Sequence, residues 1–279
     1  MLYNSKVKKR KEEWDLKNKH AETKTKKKRI SKNKKITLAI VGIILIGVAV
    51  FSGYKIFEWA IENNQNNGIK DELKSAVVEN TNEIAGENKK LDAKNFNIDF
   101  DALKNTNSDV VAWVKVNNTQ IEYPVVQAKD NDYYLTRNIK KANNGAGWIF
   151  ADYRNKLDGT DKNIVLYGHN RKDGSMFGDL KDSQTEGWYG NEDNMYIVYI
   201  TPNEKSNYEV FSVYNVAEED YYITTGFRNG EFDRFVNRLK SRSVYDFGVE
   251  VGEDDSILTL STCAGPDYRT VLHAKKVVE

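Results

Sequence analysis

The chain has 279 residues, 30% charged and 39% hydrophobic, a balance that excludes a disordered or collagen-like polymer and allows one sizeable core. The net charge is only +1, but residues 1–35 carry 15 Lys and Arg against 4 Asp and Glu, which leaves the other 244 residues at −10. A single cysteine, Cys263, excludes an intrachain disulfide and any metal site that needs several cysteines.

An uncharged apolar segment follows the basic tail. Residues 36–53 contain no charged side chain, and as a helix they approach the roughly 30 Å hydrocarbon thickness of a bilayer. Lysines precede the segment and aromatic residues follow it, which predicts a membrane span with the N-terminus in the cytoplasm. A cleaved signal peptide and a buried core helix are the alternatives. The basic tail could bind nucleic acid, but beside a span, contact with anionic lipid is the simpler interpretation.

The chain divides into four predicted regions. We expect a basic cytoplasmic tail over 1–35, a transmembrane anchor over 36–54, a juxtamembrane helical stalk over 55–95 and the main domain over 96–279. The third region is polar, with one helix-like apolar stripe, so a helix packed beside the main domain is an alternative to a stalk.

The main domain reads as mostly β. Short segments rich in β-branched and aromatic residues, separated by Asn, Asp and Gly clusters, predict strands at 109–116, 121–127, 163–169, 195–200, 208–216, 256–263 and 269–278. A helix is predicted over 230–241, because Phe232, Phe235, Val236 and Leu239 recur with helical spacing. These elements predict a barrel or a sandwich with a few appended helices.

The lone cysteine ends one predicted strand. Alternation in 256–263 places Ile257, Thr259, Ser261 and Cys263 on one face, and Leu258 and Leu260 on the core face. The cysteine face is therefore expected to be polar and accessible at the rim of the sheet. Outside the cell, such a cysteine is a buried unpaired residue, an intermolecular linker or a reactive nucleophile.

A histidine and an arginine are candidate partners of the thiol. His169 ends another predicted strand, whereas His20 lies in the basic tail and His273 lies mid-strand, where a structural role is expected. A four-residue loop at 264–267 would pair Cys263 with Tyr268, and a five-residue loop or a bulge would pair it with Arg269.

Together the three groups suit acyl transfer. A thiolate attacks a carbonyl, an imidazolium gives its proton to the leaving amine, and a guanidinium stabilises the oxyanion.

These residues resemble those of the sortases, cysteine transpeptidases of Gram-positive surfaces. The resemblance rests on TLSTC (259–263), the histidine at the end of an upstream strand and the arginine shortly after the cysteine. YGHNRKDGSMFGDL (167–180), NNTQIEYPVVQ (117–127) and the helix before the last catalytic strand are similar to class B. The resemblance implies a closed eight-stranded β-barrel with flanking helices, preceded by the N-terminal transmembrane helix.

The resemblance also implies an activity. The enzyme would cut a C-terminal sorting motif of the Pro-x-Thr type after its Thr, hold a thioester on the cysteine and pass the acyl group to a peptidoglycan amine. Its partners would be surface proteins with a sorting signal, the peptidoglycan and the membrane, with the catalytic domain outside the cell and no nucleic acid, metal or cofactor. The implied catalytic residues are His169, Cys263 and Arg269, and the implied substrate-binding residues are Asn131, Leu135, Tyr167, Tyr222, Ile223 and Ser261.

Three other functions fit parts of the pattern. A hydrolytic cysteine peptidase could use the same pair of thiol and imidazole, and a pilin-polymerising sortase would use a protein lysine as the acceptor. A surface-binding module with an inert thiol would need no catalysis.

Overall fold

The computed structural model describes residues 8–17, 31–79, 91–217, 221–263 and 268–278, without the side chain of Cys263. The predicted loop at 264–267 lies outside the described residues. The chain forms two compact units, residues 1–57 and residues 58–279.

The first unit is helical. It contains α1 (residues 8–17) and most of α2 (Lys32–Leu73). Within the described residues, α2 is the one helix that is long and apolar enough to cross a membrane, and none of its apolar stretch is buried. The exposure of that stretch argues against the buried core helix, whereas a signal sequence near the N-terminus would satisfy the same criteria.

The second unit contains ten described strands. They are β1 (Val77–Glu79), β2 (Phe96–Ile98), β3 (Val110–Val116), β4 (Glu122–Val126), β5 (Phe150–Ala151), β6 (Asn163–Tyr167), β7 (Tyr196–Ile200), β8 (Lys205–Ala217), β9 (Ile257–Cys263) and β10 (Tyr268–Val277). β1 pairs with β2, and the other eight close a barrel in the order β10-β8-β7-β3-β4-β5-β6-β9. The predicted closed eight-stranded barrel is therefore confirmed.

Short helices connect the strands. The α-helices of this unit after α2 are α3 (Phe100–Thr106), α4 (Glu186–Tyr189) and α5 (Glu231–Arg242). The 3₁₀ segments are Lys74–Ala76, Ala93–Asn95, Tyr133–Leu135, Gly178–Gln184, Glu192–Met195 and Tyr221–Ile223. α5 is the predicted amphipathic helix, and it begins after Gly230, whose φ of 74° lies in the left-handed region that glycine tolerates best.

The sheet carries apolar packing on both faces. Leu166, Leu258 and Leu260 point into the barrel and belong to its core, as the alternation predicts. On the outer face, the buried side of α5 joins a second cluster that contains Phe211 and Val271. The last turns of α2 also contribute to the barrel core, through Ile69 and Leu73.

The second layer corrects one expectation. Thr259 and Ser261 were expected on an accessible face, but both are buried. The prediction is wrong for these residues because α5 and the 3₁₀ segment Tyr221–Ile223 cover that side of β9, and the Tyr222 hydroxyl lies 3.1 Å from Ser261 Oγ.

His273 is structural, as its position in the strand suggests. It is fully buried, and burial lowers its pKa to about 3, so the ring is neutral at physiological pH. The Tyr214 hydroxyl lies 2.9 Å from Nε2, and Nδ1 lies 2.9 Å from Thr259 Oγ1. Because Thr259 donates its own proton to Asn163 Oδ1 at 2.7 Å, His273 Nδ1 must be the donor to Thr259.

Candidate active site

A cleft of about 800 Å³ lies beside the carboxyl ends of β6 and β9. Of the nine residues expected at the site, Cys263 is the last residue of β9, and the structure describes its backbone but not its side chain. The other eight, which all lie in the described part of the chain, line this cleft: Asn131, Leu135, Tyr167, His169, Tyr222, Ile223, Ser261 and Arg269.

The pairing of two parallel strands brings His169 toward Cys263. Tyr167 of β6 is in register with Ser261 of β9, and the amide of Gly168 donates to the Ser261 carbonyl at 3.3 Å, which extends the pairing by one residue. A side chain at position 168 would crowd Ile149 and Phe177, because an added Cβ would lie 2.9 Å from the Phe177 ring. His169 and Cys263 therefore emerge from neighbouring strands at the same edge of the barrel.

The His169 ring is oriented by a backbone carbonyl. Its Nε2 lies 2.7 Å from the oxygen of Leu135, and because a carbonyl oxygen only accepts, Nε2 carries a proton. Nδ1 is then the nitrogen whose protonation can change during a reaction. Gly147 packs beneath this pair, since a Cβ there would lie 2.8 Å from the Leu135 oxygen and 3.1 Å from His169 Cδ2.

Arg269 lies opposite Cys263. The two residues are direct partners in the antiparallel pairing of β9 with β10, which is the register that a five-residue loop or a bulge produces. The Arg269 Nη1 donates to the Tyr268 carbonyl at 3.2 Å, and its side chain lines the cleft. A cationic group is thus held at the strand end where the cysteine lies.

The Tyr221–Ile223 segment forms one side of the cleft and is held by hydrogen bonds from Asn163. Asn163 donates through Nδ2 to the carbonyls of Tyr222 and Thr224, at 3.2 and 3.0 Å. The Oδ1 atom of Asn163 accepts a hydrogen bond from Thr259, which is in turn bonded to His273. His273, which does not line the cleft, therefore helps to hold the Tyr221–Ile223 segment in position.

Several residues at the cleft are absent from the sequence predictions. Phe150, Gly168, Tyr221, Arg238 and Thr262 also line it. A further residue, Asp152, accepts hydrogen bonds from Asn131 and Tyr167 at 3.0 and 2.8 Å. The sequence offers little signal for Asp152, because it follows a strand of only two residues, too short to show alternation.

Comparison with known families gives a clear match. The family model described as the Sortase domain matches residues 114–277. Sortase B of Listeria monocytogenes is 38% identical over 249 residues, which cover 85% of this chain and 95% of that protein.

Two solved structures are similar to this chain. One is a Staphylococcus aureus sortase B–substrate complex, 35% identical, with a TM-score of 0.60 and coverage of 64% of this chain and 84% of its own. The other is sortase B complexed with triglycine, 35% identical, with a TM-score of 0.61 and coverage of 64% and 85%.

Gly147→Ala is expected to displace the His169 ring. The new Cβ would lie 2.6 Å from the Tyr134 oxygen, and the φ of 59° disfavours alanine, with a cost on the order of 1–2 kcal/mol. The ¹⁵N NMR spectrum of the histidine rings should show a proton on Nε2 of His169 in the unaltered protein and a changed His169 signal in the variant.

Gly159→Ala is the matched control. Its φ is also positive, at 89°, but no heavy atom lies within 4 Å of the added Cβ, so the His169 signal should not move. An unchanged His169 signal in Gly147→Ala would show that Gly147 does not set the ring position.

Proposed function

This chain belongs to the class B sortases, cysteine transpeptidases that attach proteins to the cell wall, and we propose that it cleaves a Pro-x-Thr sorting motif after its Thr and transfers the acyl group to a peptidoglycan amine. One observation carries the proposal. Residues far apart in the sequence, at positions 131, 135, 167–169, 222–223, 261 and 269, line a single cleft at the strand end that carries Cys263.

The first half of the reaction forms the thioester. The Cys263 thiolate attacks the threonine carbonyl carbon, and Arg269 stabilises the negative charge that develops on the carbonyl oxygen. His169 Nδ1 gives its proton to the departing amine as the C–N bond breaks. The sorting signal leaves with a free amino group, and the surface protein stays on the sulfur.

The second half releases the product. The acceptor amine attacks the thioester carbon and loses a proton to His169, a new amide forms, and the C–S bond breaks to return the thiolate. The hydrogen bond from His169 Nε2 to Leu135 supports this assignment, because it leaves Nδ1 as the nitrogen that gains and loses the proton.

We propose that the sorting peptide and the acceptor amine both bind in this cleft. We assign Asn131, Leu135, Tyr167, Tyr222, Ile223 and Ser261 to substrate binding. The sortase B–substrate complex supports a peptide in this cleft, and the complex with triglycine supports a primary amine as the acceptor. A peptidoglycan amine is our choice over a pilin lysine, because the class B relatives attach proteins to the wall.

We further propose that α2 anchors the enzyme in the Gram-positive membrane, with residues 1–35 in the cytoplasm and the barrel outside. The charge of +11 before the apolar stretch supports this orientation.

Protease applied to intact cells should digest the domain at 96–279 and spare an N-terminal tag, as followed by immunoblot. Digestion of the N-terminal tag in intact cells would contradict the orientation.

Substitution of the three catalytic groups tests the mechanism. With a Pro-x-Thr peptide and triglycine as the amine, Cys263→Ala should form no amide product, because no thioester can form. Arg269→Ala should slow transfer by roughly 10²–10³-fold, the usual effect of losing one oxyanion donor, and His169→Ala should lose at least as much. Product formation is measured by mass spectrometry with the full-length chain in detergent.

The control is Arg234→Ala, an exposed arginine on α5, which should leave transfer unchanged. Circular dichroism should show that all four variants keep the fold. Amide product from Cys263→Ala would remove the cysteine from the mechanism, and free acid alone from the unaltered enzyme would favour a hydrolytic peptidase.

A further inference from the structure

Asp152 lies behind the cleft and out of contact with solvent. It follows β5 (Phe150–Ala151), and its side chain is 0% exposed. Such a carboxylate cannot touch a substrate in the cleft, so any effect on binding has to pass through the groups that it holds. A buried charge also persists only where hydrogen bonds and an opposite charge compensate its loss of water.

Two groove residues converge on one oxygen of this carboxylate. Asn131 Nδ2 donates to Oδ2 at 3.0 Å, and the Tyr167 hydroxyl donates to the same oxygen at 2.8 Å. Asn131 is fixed at its other end as well, because its Oδ1 accepts from the amide of Tyr153 at 3.0 Å. Asn131 lies in a loop and Tyr167 lies at the end of β6, and both donate a hydrogen bond to Asp152.

A third part of the groove is linked through Arg154. This guanidinium binds Asp152 with two hydrogen bonds, Nε to Oδ1 at 2.8 Å and Nη2 to Oδ2 at 2.7 Å. Nη2 also donates to the carbonyl of Ile223 at 2.9 Å. The segment that carries Tyr222 and Ile223 is therefore joined to the opposite wall, which carries Asn131 and Tyr167.

The surroundings of Asp152 and Tyr167 determine their protonation states. Burial alone would raise the pKa of Asp152, but hydrogen bonds from the Arg154 side chain and backbone and from Tyr167 outweigh burial and hold the pKa below its usual value. Burial and the neighbouring carboxylate raise the pKa of Tyr167. Asp152 is thus ionised and Tyr167 neutral at physiological pH, so the hydroxyl donates.

We propose that Asp152 is a positioning residue for the substrate groove: it holds Asn131 and Tyr167 directly, and Ile223 through Arg154, in the arrangement that binds the peptide. The inference rests on the proposed function. It predicts a loss of substrate binding rather than of thiol chemistry, because none of the hydrogen bonds described for Asp152 reaches His169, Arg269 or the backbone of Cys263.

Asp152→Asn tests the proposal with little change in volume. The amide lacks the charge that pairs with Arg154, and one of its two terminal atoms can only donate. With the full-length chain, kcat/KM for the Pro-x-Thr peptide should fall at least tenfold, mainly through a higher KM. The alkylation rate of Cys263, the only cysteine in the chain, by iodoacetamide should stay within twofold of the unaltered enzyme.

Asp158→Asn is the matched control, because this carboxylate lies in the same connection between β5 and β6 but bonds only to Thr160 among the hydrogen bonds described for it. Its KM should not change. An unchanged KM in Asp152→Asn, or an equal loss of Cys263 alkylation, would overturn the proposal. Loss of transfer in Asp152→Asn while Cys263→Ala still forms amide would instead overturn the proposed function.

Two further variants test the proposal if Asp152→Asn does not fold. Arg154→Lys keeps the positive charge but loses the two-point contact, so KM should rise several-fold with alkylation unchanged. Tyr167→Phe removes one donor, and its effect should be less than multiplicative with that of Arg154→Lys, since both act through one carboxylate. Wild-type KM in Arg154→Lys, or fully multiplicative effects, would overturn the proposal.

Discussion

The parallel pairing of β6 with β9 is the constraint on which the active site depends. These strands lie side by side in the closed barrel, and their register sets Tyr167 against Ser261. Parallel strands end at the same edge, so the segments that follow them, with His169 and Cys263, begin from one place. A slip of one residue would turn every side chain of a strand to the opposite face and separate the groove from the catalytic groups.

The register is enforced on both faces of the sheet. Inside the barrel, Leu166 and Leu260 are fully buried, and losing such contacts costs roughly 2–5 kcal/mol per residue. Outside, Thr259 bonds to both Asn163 and His273, and an unsatisfied member of such a network costs roughly 1–3 kcal/mol. The same Asn163 holds the Tyr221–Ile223 wall, so the interactions that fix the strands also shape the cleft.

Local patterns predict most of this architecture. Alternation reveals the longer strands and the core side of Leu258 and Leu260, and helical spacing reveals α5, because these signals lie within a few residues of each other. The burial of Thr259 and Ser261 is missed because it comes from a second layer that the strand itself does not encode. Asp152 is missed for a similar reason, since its partners come from distant parts of the chain.

The alkylation rate of Cys263 as a function of pH tests the convergence of His169 and Cys263 most directly, because the chain has a single cysteine and the signal reports that thiol alone. An imidazolium beside a thiol favours the thiolate, so the account predicts that His169→Ala moves the half-maximal alkylation rate to higher pH. Coincident pH profiles for the unaltered protein and the variant would contradict it, because they would show that the imidazole does not reach the sulfur.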